Sequence, residues 1–172
     1  MRDVIPAAVF QSVQGRLLRS ANLAQEGWEA GSDEEDTLTG DLGARLARNW
    51  SRPIRVDGNQ WRWRVTYKKF AGRGPGAFEA VVGADGIVQV EVMPFASAVA
   101  LYKGILFQAK KTPLRTDRRL IAQVHNMEHV TPGCAAVFEY GPRGYPAAAG
   151  TMLLQQMDQP TVAERTSSLG DF

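Results

Sequence analysis

The apolar residues in the first third of the chain recur at helical spacing. One face of a first helix, from about residue 7 to residue 30, is marked by Val9, Val13, Leu17, Leu18, Ala21 and Trp28. Gly31 interrupts this pattern, and Ser32 or Asp33 is suitably placed to cap a second helix. Apolar residues then continue at helical spacing to about Trp50, and Pro53 marks the end. We therefore predict two helices before any strand.

After Pro53 the pattern changes to the period of a strand. Residues 61–67 alternate large apolar with basic side chains, which is typical of a half-buried strand. Runs rich in β-branched and aromatic residues predict three further strands, at residues 87–93, 103–110 and 135–140. Thr116 or Asp117 can cap a helix that runs to about Val130, where Thr131, Pro132 and Gly133 end it.

The predicted order is helix, helix, three strands, helix, strand. This order indicates an α/β or α+β fold, with helices flanking a mixed four-stranded sheet. Residues 147–157 allow one more helix, and residues 72–76 form a glycine-rich loop. We expect an N-terminal helix over residues 1–31, a main domain over 32–157, and a tail or linker over 158–172.

Composition narrows the class of protein. The chain has 172 residues, 44% hydrophobic and 22% charged, which suits one globular domain. The net charge of +2 is too small to indicate a nucleic-acid partner by itself. Because Cys134 is the only cysteine, a disulfide scaffold and a cysteine-based zinc site are excluded within the chain. No long apolar run is present, so we expect a cytoplasmic protein without a membrane partner.

Three residues near the middle of the chain suggest chemistry. Gln108 and Lys110 are two positions apart on a predicted strand, so their side chains share one face. Asp85 lies at a glycine-flanked turn into the preceding strand, from which it reaches that face if the two strands are neighbours. A carboxylate and an amide oxygen are ligands for a hard cation such as Mg²⁺. A nearby lysine can orient water or stabilise negative charge on a phosphate.

The second predicted helix offers a third acid. The apolar stripe on this helix is formed by Leu38, Leu42 and Leu46. On a helical wheel Glu35 falls almost on that stripe, whereas Glu34 lies well to its side and Asp36 points outward. Glu35 is therefore expected to face the sheet, where a partly buried carboxylate needs a partner such as a metal ion.

These residues, in this order, resemble the PD-(D/E)XK nuclease superfamily. Asp85 followed by Gln108-Ala109-Lys110 is most similar to the branch with Gln in place of the usual Glu, as in Mrr-like restriction endonucleases and nuclease domains of bacterial antiphage defence proteins. The resemblance covers residues 32–140 and departs from the usual pattern at Ala84, which replaces a proline.

The resemblance implies a restriction-endonuclease-like core that cleaves DNA with Mg²⁺ or Mn²⁺. It implies that Asp85, Gln108 and Glu35 are metal ligands and that Lys110 is catalytic. By analogy the chain is an effector of antiphage defence. Because no element for reading a DNA sequence is evident, a regulatory or sensor protein or self-association into a homo-oligomer is expected to control it.

Simpler interpretations stand beside these expectations. Asp85 suits an ordinary Asp-Gly turn, Gln108 and Lys110 suit a solvated strand end, and acids in a first helical turn need no function. On that view the chain is a non-catalytic interaction or DNA-binding module with the same fold. The basic and aromatic residues 61–70 fit either a nucleic-acid surface or, more commonly, a core strand with a basic solvent face.

A zinc-protease pattern is also present and is disfavoured. His125, Glu128 and His129 match H-x-x-E-H, and the histidines stand four apart on one helical face. The helix is expected to end directly afterwards, at Thr131, and no suitable third ligand follows in the short remainder of the chain.

Overall fold

The computed structural model describes residues 4–31, 34–70, 81–97, 99–111 and 118–158. Several features expected from the sequence lie outside these ranges. They are the capping residues Ser32, Asp33, Thr116 and Asp117, the glycine-rich loop at 72–76, and the tail from residue 159 onward.

In the part of the chain that the structure describes, three helices precede the first strand: α1 (Ala7–Glu26), α2 (Trp28–Gly31) and α3 (Glu35–Leu46). The first predicted helix is thus divided at Gly27, whose N–H bonds back to the carbonyl of Ala24 and ends α1. The helix α3 also ends earlier than expected. Beyond it the chain becomes extended, because Arg48 exchanges backbone hydrogen bonds with Val65.

Within the described residues the sheet has six strands rather than the expected four. They are β1 (Ile54–Val56), β2 (Asn59–Lys69), β3 (Gly86–Pro94), β4 (Leu101–Lys111), β5 (Ala135–Tyr140) and β6 (Ala147–Ala149). They lie in sequence order, and every neighbouring pair is antiparallel except β4 and β5. The fold is therefore a mixed α/β arrangement around a mixed sheet.

The two additional strands are short edge strands. The strand β1 has three residues, too few for alternation to identify it. The strand β6 consists of alanines, which have no strand preference, and it pairs with β5 where a helix was expected. The helix α5 (Gly150–Asp158) follows directly.

The helix α4 (Arg118–Val130) connects the parallel strands β4 and β5, because a parallel pair requires a crossover connection. It packs with α5 on one face of the sheet, whereas α1 and α3 cover the other face. Among the described helices, none is both long and apolar enough to cross a membrane.

Alternation along β4 decides which residues face which layer. Phe107 and Ala109 are buried in the core under α1 and α3, and Leu106 is buried in the core under α4 and α5. Gln108 and Lys110 are in phase with Leu106, so they belong to the α4 face of the sheet.

Close packing fixes α3 over β2 and α4 over the turn before β3. A Cβ atom at Gly43 of α3 would lie 2.1 Å from the Tyr67 ring, so the helix rests directly on that side chain. A Cβ atom at Gly83 would lie 2.5 Å from the carbonyl oxygen of Gln123 in α4, and Gly83 has a φ of +79°. Space and backbone conformation therefore both require glycine at position 83.

We expect Gly83→Ala to lower the free energy of unfolding by about 2–4 kcal/mol, because it adds a clash to an unfavourable left-handed conformation. The matched control is Gly58→Ala, at a φ of +77° with no atom within 4 Å of the added Cβ. That variant should lose only about 1–2 kcal/mol. Chemical denaturation measures both, and equal losses would show that the approach of α4 does not matter.

Candidate active site

The candidate active site lies where β4 continues beyond the end of β3. The last pair between these strands joins Gly86 to Phe107, whereas β4 remains paired with β5 as far as Lys111. Backbone N–H groups of alternate residues point to the same neighbouring strand. Those of Ala109 and Lys111 therefore point into the space beyond β3, and because a buried unpaired N–H is costly, each needs an acceptor.

Two carboxylates supply these acceptors. The Ala109 N–H donates to Oδ2 of Asp85 at 2.6 Å, and the Lys111 N–H donates to Oε2 of Glu35 at 3.2 Å. Asp85 directly precedes β3, and Glu35 is the first residue of α3, so the acids reach β4 from different elements. The two N–H groups that these carboxylates accept from are two residues apart, which is about 7 Å along the strand.

Backbone hydrogen bonds hold Asp85 between β2 and β4. Its N–H donates to the carbonyl of Phe107 at 2.8 Å, and its carbonyl accepts the N–H of Phe70 at 2.7 Å. In the register of β3 and β4, Gly86 pairs with Phe107. Extending this register by one residue places Asp85 opposite Gln108. The Asp85 and Gln108 side chains therefore share one face of the sheet.

Gln108 is buried beside this carboxylate. Only 1% of the residue is exposed, and its Nε2 donates to Oδ2 of Asp85 at 2.7 Å. The other end of the amide, Oε1, is buried and accepts no hydrogen bond from the described residues. Because a buried acceptor without a donor costs free energy, this oxygen is an unusual feature for a structural glutamine.

Lys110 and Glu35 form the second contact of the site. Nζ of Lys110 lies 3.5 Å from Oε1 of Glu35, with 29% and 34% of the two side chains exposed. A long, partly solvated ion pair of this kind contributes little stability. Lys110 also acts electrostatically on Asp85, so its charge links the two acids.

Burial raises the pKa of Asp85 above its ordinary value. The Ala109 N–H, the positive charge of Lys110 and the Gln108 amide oppose this rise, and the nearby Asp36 carboxylate adds to it. The carboxylate is thus poorly solvated, and a further positive charge beside it would be favourable.

The four predicted site residues lie at one end of β4, as two contacting pairs. Asp85 contacts Gln108, and Glu35 contacts Lys110. The expected metal ligands are not gathered into a single cluster that includes Glu35, because both its oxygens face groups of β4. Within the described ranges, no three or more His, Cys, Asp or Glu residues are grouped so that they could hold a metal ion.

Asp85 and Gln108 by themselves suit a hard divalent cation. Asp85 accepts both of its hydrogen bonds on Oδ2, and Oδ1 accepts none from the described part of the chain. Oε1 of Gln108 is the buried oxygen without a partner. Mg²⁺ is commonly held by one or two carboxylates with several waters, so two protein oxygens fit its needs.

The site also contains groups that the sequence did not single out. Burial, together with the negative charges of Asp85 and Asp36, raises the pKa of the Tyr67 hydroxyl to about 12. Lys69 Nζ contacts Oδ1 of Asp36 at 3.0 Å. From the sequence, Asp36 is expected to point outward from its helix, and Tyr67 and Lys69 are part of the basic aromatic segment. Only the packing of α3 against β2 brings them to the site.

The zinc-protease pattern on α4 has a structural explanation. His125 and His129 are exposed, whereas Glu128 accepts the Gly133 N–H at 2.7 Å just after the helix ends. The acid of the pattern therefore stabilises the turn out of α4. Trp63 of the basic aromatic segment is buried in the core, which fits the interpretation of β2 as a core strand.

Comparison with protein-family models, curated proteins and solved structures found no match.

We expect the effect of Asp85→Asn on stability to depend on pH. A raised folded-state pKa means that ionised Asp85 opposes folding, and this cost is absent below its unfolded pKa of about 3.8. The cost grows as the pH rises from this unfolded pKa through the higher folded-state pKa. The variant should therefore gain stability relative to the wild type as the pH rises between these two values. Thermal denaturation in EDTA across this range measures the difference, and a difference independent of pH would contradict the inferred burial.

Proposed function

We propose that this chain is a divalent-metal-dependent nuclease that hydrolyses phosphodiester bonds in DNA. The observation that carries the proposal is the buried contact between Asp85 and Gln108. It combines a poorly solvated carboxylate with an unsatisfied amide oxygen. Lys110, whose charge acts on the same carboxylate, supplies the positive group that phosphate chemistry needs.

Asp85 and Gln108 would hold Mg²⁺ or Mn²⁺ through oxygen atoms. A bound cation would activate water and offset negative charge on the phosphate. Without a cation, Nε2 of Gln108 donates to the carboxylate and partly compensates its charge. Because an amide carries a donor and an acceptor on one carbon, the same side chain can offer Oε1 to a cation.

Lys110 stabilises the negative charge that develops on the phosphate or orients the attacking water. Its ammonium group contacts Glu35 at the end of β4, where the lysine charge also acts on Asp85. The main role proposed for Glu35 is therefore to bind the Lys110 ammonium group and the Lys111 N–H. A role as a metal ligand is proposed only as a secondary one.

The fold proposed for this function is the restriction-endonuclease-like core, with β2–β5 as its central strands. The resemblance of Asp85, Gln108 and Lys110 to the QxK branch supports this assignment. A place in bacterial antiphage defence, control by a sensor protein, and assembly into a homo-oligomer are proposed by the same analogy.

A non-catalytic module on the same fold is the second candidate. It is favoured by the backbone contacts of the two acids, since Asp85 and Glu35 satisfy N–H groups of β4 that need acceptors in any case. These contacts explain both carboxylates. They do not explain why a glutamine with an unsatisfied oxygen is buried beside one of them.

We expect purified protein to degrade DNA, supplied both as plasmid and as a single strand, with Mg²⁺ or Mn²⁺ and to lose this activity in EDTA. Asp85→Asn and Lys110→Ala should each lower the cleavage rate by about 100-fold or more, because each removes a group that stabilises charge in the transition state. Gel electrophoresis of time courses measures the rates.

Lys103→Ala is the matched control, since it removes the same charge near the opposite end of β4. It should cleave at nearly the wild-type rate. If Asp85→Asn and Lys110→Ala cleave as fast as this control, the activity arises elsewhere. If the wild-type protein cleaves no DNA with either cation, the non-catalytic module is the better description.

A further inference from the structure

The face of the sheet that carries Asp85 and Gln108 continues over β2 and β3. The helices α4 and α5 pack on β4, β5 and β6. Farther along the same face of β2, Arg62 and Arg64 are half-buried, and Thr66 and Lys68 are exposed. We call this region the aromatic–basic face, and its members are Trp50, Arg62, Arg64, Lys68, Glu91, Phe95 and Tyr102.

Aromatic rings hold the two arginines of this face in place. Cζ of Arg62 lies 4.3 Å from the centroid of the Trp50 ring and 5.0 Å from that of Phe95. Cζ of Arg64 lies 4.8 Å from the Trp50 ring. At these distances a guanidinium is attracted to the ring, so both groups are preorganised rather than free in solvent.

The face keeps an excess of positive charge. Glu91 is the acid facing these arginines, and it contacts Arg64 at 2.5 Å and accepts the Tyr102 hydroxyl at 3.2 Å. Arg62 and Lys68 form no ion pair with any described residue, so their charges remain available. Such a surface is complementary to an anionic ligand.

Two large rings on this face are exposed. Phe95 is 51% exposed and Tyr102 is 59% exposed. Exposed aromatic rings beside arginine groups form platforms on which nucleic-acid bases stack. Stacking on a flat sheet requires unpaired bases, because the base faces of a duplex already stack on each other. The combination therefore favours single-stranded over double-stranded nucleic acid.

The aromatic–basic face leads directly to the candidate active site. Arg62, Arg64 and Lys68 have the same phase along β2, and the row spans about 20 Å. Lys68 pairs with Ile87, two residues from Asp85. A strand bound along β2 would thus have its backbone guided toward Asp85 and Gln108.

We propose that the aromatic–basic face binds single-stranded nucleic acid and delivers it to the site at the end of β4. The binding part of this inference stands on the face alone, and the delivery part rests on the proposed nuclease function.

The test is fluorescence anisotropy in EDTA, where cleavage cannot occur. The probes are one labelled oligonucleotide as single-stranded DNA, the same sequence as single-stranded RNA, and the corresponding DNA duplex. We expect the single strands to bind at least about tenfold more tightly than the duplex. Preference for DNA or RNA then identifies which single strand the face accepts.

Phe95→Ala and Tyr102→Ala should each weaken single-strand binding by about fivefold or more, the loss expected for removal of one stacking ring. Arg62→Ala should weaken binding and reduce the slope of log affinity against log salt by about one. Because Phe95 and Tyr102 are more than half exposed, these variants should fold, and circular dichroism checks this.

The matched controls lie away from this face. Val130→Ala removes an exposed apolar side chain from α4, and Arg143→Ala removes an exposed charge between β5 and β6. Both should bind like the wild type. Tighter binding of the duplex, or equal losses in the controls and the three face variants, would overturn the proposal.

The outcomes for binding and cleavage are separable. Single-strand binding that depends on Phe95 and Tyr102, without metal-dependent cleavage, supports the binding face and counts against the nuclease. Metal-dependent cleavage that is abolished by Lys110→Ala but unaffected by Phe95→Ala and Tyr102→Ala supports the nuclease and overturns the delivery of substrate along this face.

Discussion

The strand β4 is longer than its neighbour β3, and the N–H groups left beyond the end of β3 must find acceptors. Asp85 and Glu35 meet this need at Ala109 and Lys111. A backbone carbonyl from a longer β3 would satisfy the same N–H groups without bringing negative charge. The carboxylates instead concentrate ionisable groups at one end of the sheet. The contacts with Gln108 and Lys110 follow from this concentration of charge.

Burial of Asp85 then makes its negative charge energetically unfavourable. Asp85 is poorly solvated, which raises its pKa, while the Gln108 amide and the Lys110 charge oppose the shift. The neighbouring groups thus offset the desolvation of the Asp85 carboxylate only in part. Gln108 contributes its donor to Asp85, whereas its own oxygen accepts no hydrogen bond from the described residues.

The same sheet face combines two environments because the helices cover only part of it. Under α4 and α5 the residues are apolar, whereas over β2 the side chains are basic and aromatic. The aromatic–basic face and the Asp85 site share one alternation phase through the registers of β2, β3 and β4. A ligand bound on the aromatic–basic face would therefore lie next to the Asp85 site without any rearrangement of the fold.

Local sequence pattern predicted the four long strands and the helices around them, although not the division of the first helix at Gly27. It also placed Gln108 and Lys110 on one face, because side-chain period is a local property. It could not reveal β1 and β6, which are too short or too featureless and exist through pairing with a neighbour. Only tertiary structure decided that Glu35 contacts Lys110 rather than joining Asp85, and that Tyr67 and Asp36 lie close to the site. Those relations depend on where β3 ends beside β4 and how α3 rests on β2, which are distances between elements far apart in the chain.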